Sequence, residues 1–425
     1  MTDLILAIDQ GTTGSTIALM DTDGRLLTSV NHEFPQVFPQ PGWVEHDPEK
    51  IWQSVLSGLS AIFSDTEHAV SQVAAIGITN QRETAVLWDS QTGQAVHNAI
   101  VWQCRRTTDV CEDLKAAGYE AVIKAKSGLV LDPYFSATKF KWILDNAPTA
   151  KTLLAEGRLL AGTIDTYLMW RLSNGNVHKT DVSNASRTSL MSLETLDWDA
   201  ELLDIFGVPR DILPEICPSS GRFAVTSGVP GLPDGLPVSG VAGDQQSALF
   251  GQACFEPGDA KCTFGTGSFI LMNAGTIPIA SDTGLLSTVA WQLKGQDAVY
   301  ALEGGAFVCG AAVQWLRDQL GIIENAADIE ALAESVESAG GVEFVPALAG
   351  LGAPYWAPEA RGTLTGLTRG SGKGEIARAT LDAMALQNVD ILMAMEADIG
   401  QAMTALKVDG GASANNLLML SLIHI

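Results

Sequence analysis

Leu4-Ile5-Leu6-Ala7-Ile8-Asp9-Gln10-Gly11-Thr12-Thr13-Gly14-Ser15-Thr16-Ile17-Ala18-Leu19-Met20 is the stretch that decides the architecture. An apolar run closed by a carboxylate meets a glycine-threonine turn and then a second apolar run, the pattern of a β-hairpin. The same pattern returns past the middle of the chain as Gly265-Thr266-Gly267-Ser268, followed by Phe269-Ile270-Leu271-Met272. With one residue gapped the two copies superpose more than half a chain apart, which implies a duplicated domain rather than a short-period array.

Such turns let several backbone N–H groups converge on one anion, with threonine and serine hydroxyls as further donors. Two of them could hold the phosphates of one nucleotide between two lobes. Asp9, at the end of the first strand, supplies the hard carboxylate that Mg2+ takes beside phosphate. Taken singly, each turn is equally well read as a tight hairpin connection.

Around the first hairpin the pattern extends outward. The turn Asp21-Thr22-Asp23-Gly24 leads into a third strand from Leu26 to Val30. Asp47-Pro48 then marks a helix start, and Val73-Ala74-Ala75-Ile76-Gly77-Ile78-Thr79 reads as a buried strand. Strand, helix and strand in that order place this half in the α/β class. Residues 206–237, rich in proline and glycine, read as a long irregular excursion or small subdomain rather than a core element. The boundary falls near Gly251, giving domains 1–250 and 251–425.

At 425 residues the chain has room for two or three cores. A net charge of −24 argues against a surface that binds a nucleic-acid backbone. The six cysteines show no CxxC spacing and the six histidines no ligand motif, so reduced thiols and no structural zinc are expected. The opening Met1-Thr2-Asp3 lacks a basic region and no apolar run reaches the roughly 20 residues of a spanning helix. A soluble cytoplasmic enzyme without membrane insertion is the expectation.

Three polar segments follow apolar strands, where open α/β sheets bind ligands. Arg82 and Glu83, in Asn80-Gln81-Arg82-Glu83-Thr84, suit a polyhydroxylated substrate, or else form a salt-bridged strand end. Asp244, in Gly243-Asp244-Gln245-Gln246, is a candidate general base, or equally a helix N-cap. Gly410-Gly411-Ala412-Ser413-Ala414-Asn415-Asn416 permits close approach of a ring or phosphate, with Asn415 offering donor and acceptor; alone it would be a strand-to-helix turn.

Together these segments resemble the FGGY carbohydrate kinases, and among them the glycerol-phosphorylating members, along essentially the whole length. The resemblance also rests on Pro41-Gly42-Trp43-Val44-Glu45-His46-Asp47, Trp102-Gln103-Cys104-Arg105-Arg106, Asp132-Pro133-Tyr134-Phe135, Asn184-Ala185-Ser186-Arg187-Thr188 and Gly350-Leu351-Gly352-Ala353-Pro354-Tyr355-Trp356. Two family-wide signatures fall at residues 134–146, with Lys139 and Trp142, and 362–387. So many ordered matches are more specific than any single glycine loop.

The resemblance implies two actin-like, RNase-H-like α/β ATPase domains flanking a catalytic cleft, and ATP-dependent phosphorylation of glycerol to glycerol 3-phosphate. It implies a glycerol pocket of Arg82, Glu83, Trp102, Tyr134, Asp244, Gln245 and Phe269, with Asp244 as catalytic base. Thr12, Thr13, Gly14, Thr266 and Gly267 would hold phosphoryl oxygens, Gly310, Gln314, Gly411 and Asn415 would line the nucleoside side, and Asp9 would hold Mg2+. ADP is the second product, and a homo-oligomer, dimer or tetramer, is the family's habit.

Two departures from the pattern stand out. Thr16 occupies a position where the family usually has a basic residue that neutralises phosphate, so reduced activity is expected. Residues 421–425 do not resemble the family's continuation, and the expectation is a C-terminally truncated second domain. Two rivals therefore accompany the glycerol reading. One is a relative acting on another polyol or sugar, such as erythritol or xylulose; the other is a truncated paralogue that binds glycerol or nucleotide without transfer.

Overall fold

The computed structural model describes residues 3–64 and 68–424. Met1, Thr2 and Ile425, on which the readings of the leader and the tail partly rest, lie outside the described residues. The chain divides into two compact units, residues 1–247 with 288–299, and residues 248–287 with 300–425.

The first unit is built on a six-stranded sheet. Its strands are β1 (Leu4–Gln10), β2 (Gly14–Asp21), β3 (Leu26–Glu33), β4 (Val73–Asn80), β5 (Ser220–Val225) and β6 (Pro237–Gly243), in the order β5-β6-β4-β1-β2-β3. Leu4, Leu6 and Ile8 alternate onto one face of β1 and are buried, as period-two patterning requires. The meander β1-β2-β3 is antiparallel, and Asp21 shapes its second turn by accepting the N–H groups of Asp23 and Arg25 on Oδ1.

Helix α1 (Pro48–Ser64) links the meander to β4, which runs parallel to β1. Asp47 Oδ1 accepts Glu49 N–H at its start, and Ile51, Val55, Leu59 and Ile62 pack with Ile17, Leu19 and Ile76 in the core. A Cβ at Gly58 would sit 2.4 Å from Cγ1 of Ile17, so glycine lets this helix lie flush on β2.

Residues 206–237 are less irregular than the sequence suggests. They contribute β5, which pairs antiparallel with β6 as the sheet's edge. An edge strand tolerates the surrounding prolines and glycines because one side of its ladder is unpaired.

The second unit repeats the plan. A five-stranded sheet holds β7 (Ala260–Phe264), β8 (Ser268–Gly275), β9 (Leu286–Gln292), β10 (Ala298–Ala306) and β11 (Leu406–Asp409), in the order β9-β10-β8-β7-β11. The hairpin β7-β8 corresponds to β1-β2, and β11 lies parallel to β7 as β4 lies parallel to β1. Two α/β units, each an antiparallel hairpin extended by a third antiparallel strand, with a parallel strand added beside its first member, are the actin-like, RNase-H-like fold.

Candidate active site

The first unit collects its polar residues where three parallel strands end together. Gln10 of β1 is in register with Asn80 of β4, and Asn80 with Gly243 of β6. Asp9, the segment 81–84 and Asp244 therefore emerge beside one another at the carboxyl ends of these strands, where open α/β sheets place ligands.

Arg82 is the centre of this group. It is buried, with Nε 3.1 Å from Oδ1 of Asp244 and Nη2 3.3 Å from the Tyr134 hydroxyl. A Cβ at Gly243 would lie 2.7 Å from Cγ and Cδ of Arg82, so this glycine makes room for the guanidinium stem. Asp244 opens helix α2 (Asp244–Gly251) and its Oδ1 also accepts the N–H of Gln245, so one oxygen serves both the guanidinium and a backbone N–H. Gln245, beside it, is buried.

Glu83 sits in the left-handed region at φ 59, an uncommon backbone for a glutamate. Its carboxylate accepts Nε of Arg187 at 2.7 Å, with both side chains almost wholly buried. Arg187 also stands 5.6 Å from the Tyr134 ring centre and 5.2 Å from that of Phe135. Arg187 carries no assigned role in the sequence reading because its partner is more than a hundred positions away; the matching segment 184–188 was the available signal.

Trp102 ties the Tyr134 side of this group to the first turn. Its indole N–H donates to Oγ1 of Thr12 at 3.0 Å, and its ring meets Tyr134 edge-on with centroids 5.7 Å apart. Gly11 N–H closes the turn on the Gly14 carbonyl, and the Thr13 carbonyl accepts Phe34 N–H. Thr16 pairs across the hairpin with Asp9, and its hydroxyl accepts from Asn31.

Asp9 has its pKa raised to about 6, first by desolvation and then by the charge of Asp244, although much of its surface meets solvent. Two carboxylates that repel one another at a strand end suit a hard divalent cation. Among the described residues no cluster of three or more metal-ligating side chains occurs. Mg2+ takes one or two carboxylates and completes its shell with water and phosphate.

In the second unit a cavity of about 350 Å3 is lined by Gly265, Thr266, Gly310, Gln314, Gly411 and Asn415, with Leu381, Met384 and Leu418 as its apolar wall. Its volume is that of a small-molecule site. The turn is tied to helix α3 (Gly310–Asp318): the Thr266 carbonyl accepts the N–H groups of Cys309 and Ala311. Gly410 has φ 86 and a Cβ there would lie 2.5 Å from the Phe264 carbonyl oxygen, so β11 can end against β7 only with glycine. Asn415 uses Oδ1 to cap helix α4 (Asn416–His424) through Leu418 N–H. Gly267 lies in the turn between β7 and β8 outside this lining, and Phe269, on β8, packs its ring on Gly305.

A larger recess of about 840 Å3 in the first unit contains none of these residues. Its charged groups are engaged with neighbours, Arg171 with Glu49 at 2.7 Å and Asp47 with Glu49 N–H.

The model of the N-terminal domain of the FGGY family of carbohydrate kinases matches residues 4–251, and that of the C-terminal domain matches residues 260–423. This chain belongs to the FGGY family of carbohydrate kinases. A glycerol kinase of Bdellovibrio bacteriovorus is 59% identical over 419 residues, covering 99% of this chain and 85% of that protein. The crystal structure of Plasmodium falciparum glycerol kinase with ADP superposes with a TM-score of 0.90 at 35% identity, over 99% of this chain and 84% of that one. A ligand-bound xylulose kinase from Lactobacillus acidophilus, 24% identical with a TM-score of 0.87, covers all of this chain and 84% of its own and shares the FGGY fold. Among the described residues of this FGGY kinase no helix is long and apolar enough to cross a membrane.

Proposed function

We infer that this chain transfers the γ-phosphoryl group of ATP to a terminal hydroxyl of glycerol, giving glycerol 3-phosphate and ADP. The carrying observation is Arg82, held between Asp244 at 3.1 Å and the Tyr134 hydroxyl at 3.3 Å at the carboxyl ends of the strands. Such a group offers donors and acceptors within a few ångströms, the spacing of hydroxyls on a three-carbon chain. The 59% identity to a glycerol kinase, against 24% to a xylulose kinase, supports glycerol over a larger sugar.

In this reading Arg82, Glu83, Tyr134, Asp244 and Gln245 bond the hydroxyls and Trp102 packs the carbon chain. Asp244 accepts the proton of the attacking hydroxyl as its oxygen bonds the γ-phosphorus and the bond to the β-bridging oxygen breaks, releasing ADP. Positioning and charge stabilisation carry most of such a reaction. Thr12, Thr13 and Gly14 of the first unit and Thr266 and Gly267 of the second donate to phosphoryl oxygens. Gly310, Gln314, Gly411 and Asn415 line the nucleoside side. Mg2+ beside Asp9 would offset phosphate charge when bound. Residues 1–250 thus serve glycerol and phosphate, and residues 251–425 the nucleotide.

The test is ADP release with MgATP, with and without glycerol, from the unaltered chain and from Asp244→Asn. Glycerol-dependent release that falls on the order of 10²–10⁴-fold in the variant, with glycerol still bound, is expected. Near-normal turnover of the variant would sink the role of Asp244. A folded chain that binds glycerol without transfer would favour the binding-only paralogue, which Thr16 opposite Asp9 motivates. The reading also places the enzyme in the cytoplasm as a homo-oligomer, which light scattering would measure.

A further inference from the structure

We propose that His46 is a positioning residue that holds the first glycine-threonine turn in the shape that receives phosphate. His46 is fully buried and lies in the short strand Glu45–His46, outside the turn itself. Its ring bonds two side-chain amides. Nε2 donates to Oε1 of Gln36 at 2.5 Å, and Nδ1 accepts from Nε2 of Gln81 at 3.3 Å.

Each amide in turn holds a carbonyl of the turn. Gln36 Nε2 donates to the Thr12 carbonyl at 2.9 Å, and the two hydrogens of Gln81 Nε2 are shared among His46 Nδ1, the Gly11 carbonyl at 3.2 Å and Gln10 Oε1 at 3.0 Å, while Gln10 Nε2 also donates to the Gly11 carbonyl at 2.7 Å. Fixing the carbonyls of residues 11 and 12 fixes the peptide planes that follow them, and hence the direction in which the N–H groups of Thr12 and Thr13 point. A turn that presents N–H groups to an anion depends on that direction.

The network also touches the polyol segment. Thr84 Oγ1 donates to Gln81 Oε1 at 2.9 Å and itself accepts the Trp102 N–H at 3.3 Å. The edge-on Phe34 ring, 5.0 Å away, packs the imidazole in place. Only a neutral ring can donate from Nε2 while accepting at Nδ1, and burial keeps His46 neutral by lowering its pKa to about 4. The side chain therefore acts as a fixed joint rather than a proton carrier.

This inference rests on the kinase reading for its kinetic test but not for its binding test. The variants are His46→Leu, which removes both bonds, and His46→Gln, which can keep one; His178→Gln serves as a comparison. His178 is likewise kept neutral by burial, but it bonds the Ala161 carbonyl away from this network. Calorimetry with β,γ-methylene-ATP and Mg2+ reads the turn even if the chain does not turn over. The expected result is a rise in Kd of at least fivefold for His46→Leu, partial recovery in His46→Gln and no change in His178→Gln.

In steady state, kcat/KM for MgATP should fall at least tenfold in His46→Leu while the glycerol KM moves less than threefold. Nucleotide affinity unchanged in a folded His46→Leu, or lost equally in His178→Gln, would overturn the proposal. If His46→Leu does not fold, Gln36→Leu cuts one arm of the network from a half-buried position and should raise the same Kd at least threefold; an unchanged Kd there would overturn it as well.

Discussion

The indole N–H of Trp102 and Oγ1 of Thr12 lie 3.0 Å apart, joining the wall proposed for the polyol to the turn proposed for phosphate. A residue expected to pack the substrate carbons therefore also orients a hydroxyl meant for the nucleotide. Trp102→Phe keeps most of the apolar wall and removes the donor. Its loss is worth roughly 1 kcal/mol, so kcat/KM should fall about fivefold. The effect should appear in titrations of both substrates, whereas a purely steric role would move glycerol alone.

Thr16 faces Asp9 across the hairpin, at the position where the family resemblance implies a cation. Thr16→Arg would place a guanidinium beside the phosphate turn and offset the charge of Asp244, which adds to burial in raising the Asp9 pKa to about 6. The expected outcome is a gain on the order of tenfold in kcat/KM for MgATP. An unchanged value in steady-state assays would show that another cation already supplies this charge.

Lys139, wholly buried, donates Nζ to the carbonyls of Pro133, Tyr134 and Phe135 at 2.6, 2.5 and 2.9 Å. These are the residues that lead into the helix Ser136–Asn146. Lys139→Met would leave three buried carbonyls without this donor and cost about 3 kcal/mol. Thermal denaturation should show a lower melting temperature, and glycerol KM should rise because Tyr134 loses its anchor.

Asp165 is buried, accepts the Thr163 and Thr180 hydroxyls, and has its pKa pushed up to about 7 by burial and then by the charge of Asp181. Between the ordinary value of 3.8 and about 7 the folded state keeps a proton that the unfolded chain releases. The stability this group contributes is therefore greatest at low pH, declines as pH rises across that window and is gone above it. Asp165→Asn should remove the decline. Urea denaturation at pH 5 and pH 7.5 would measure it, and equal slopes in both proteins would refute it.

Much of this arrangement is legible in local pattern. The two hairpins, the helix start at Asp47-Pro48 and the strand before Asn80 follow from periodicity and turn chemistry. Edge strand β5 escaped because its prolines and glycines read as loop, a signal that does not tell an edge strand from an excursion. The cluster at the three strand ends was legible in the same way, and the roles proposed for its residues come from the family resemblance. What local pattern could not show is who answers whom: Arg187 meets Glu83, and His46 meets Gln36 and Gln81, through folding alone. Buried partners far apart in sequence leave no periodic trace, and only the requirement that buried polar groups be satisfied announces them.

The in-register row of Gln10, Asn80 and Gly243 has a consequence for how such an enzyme wears out. Residues seated one step beyond three bonded strands share the sheet's rigidity, so warming should not blunt the polyol group gradually ahead of the scaffold. Heat inactivation and loss of β-structure should instead run on a single clock.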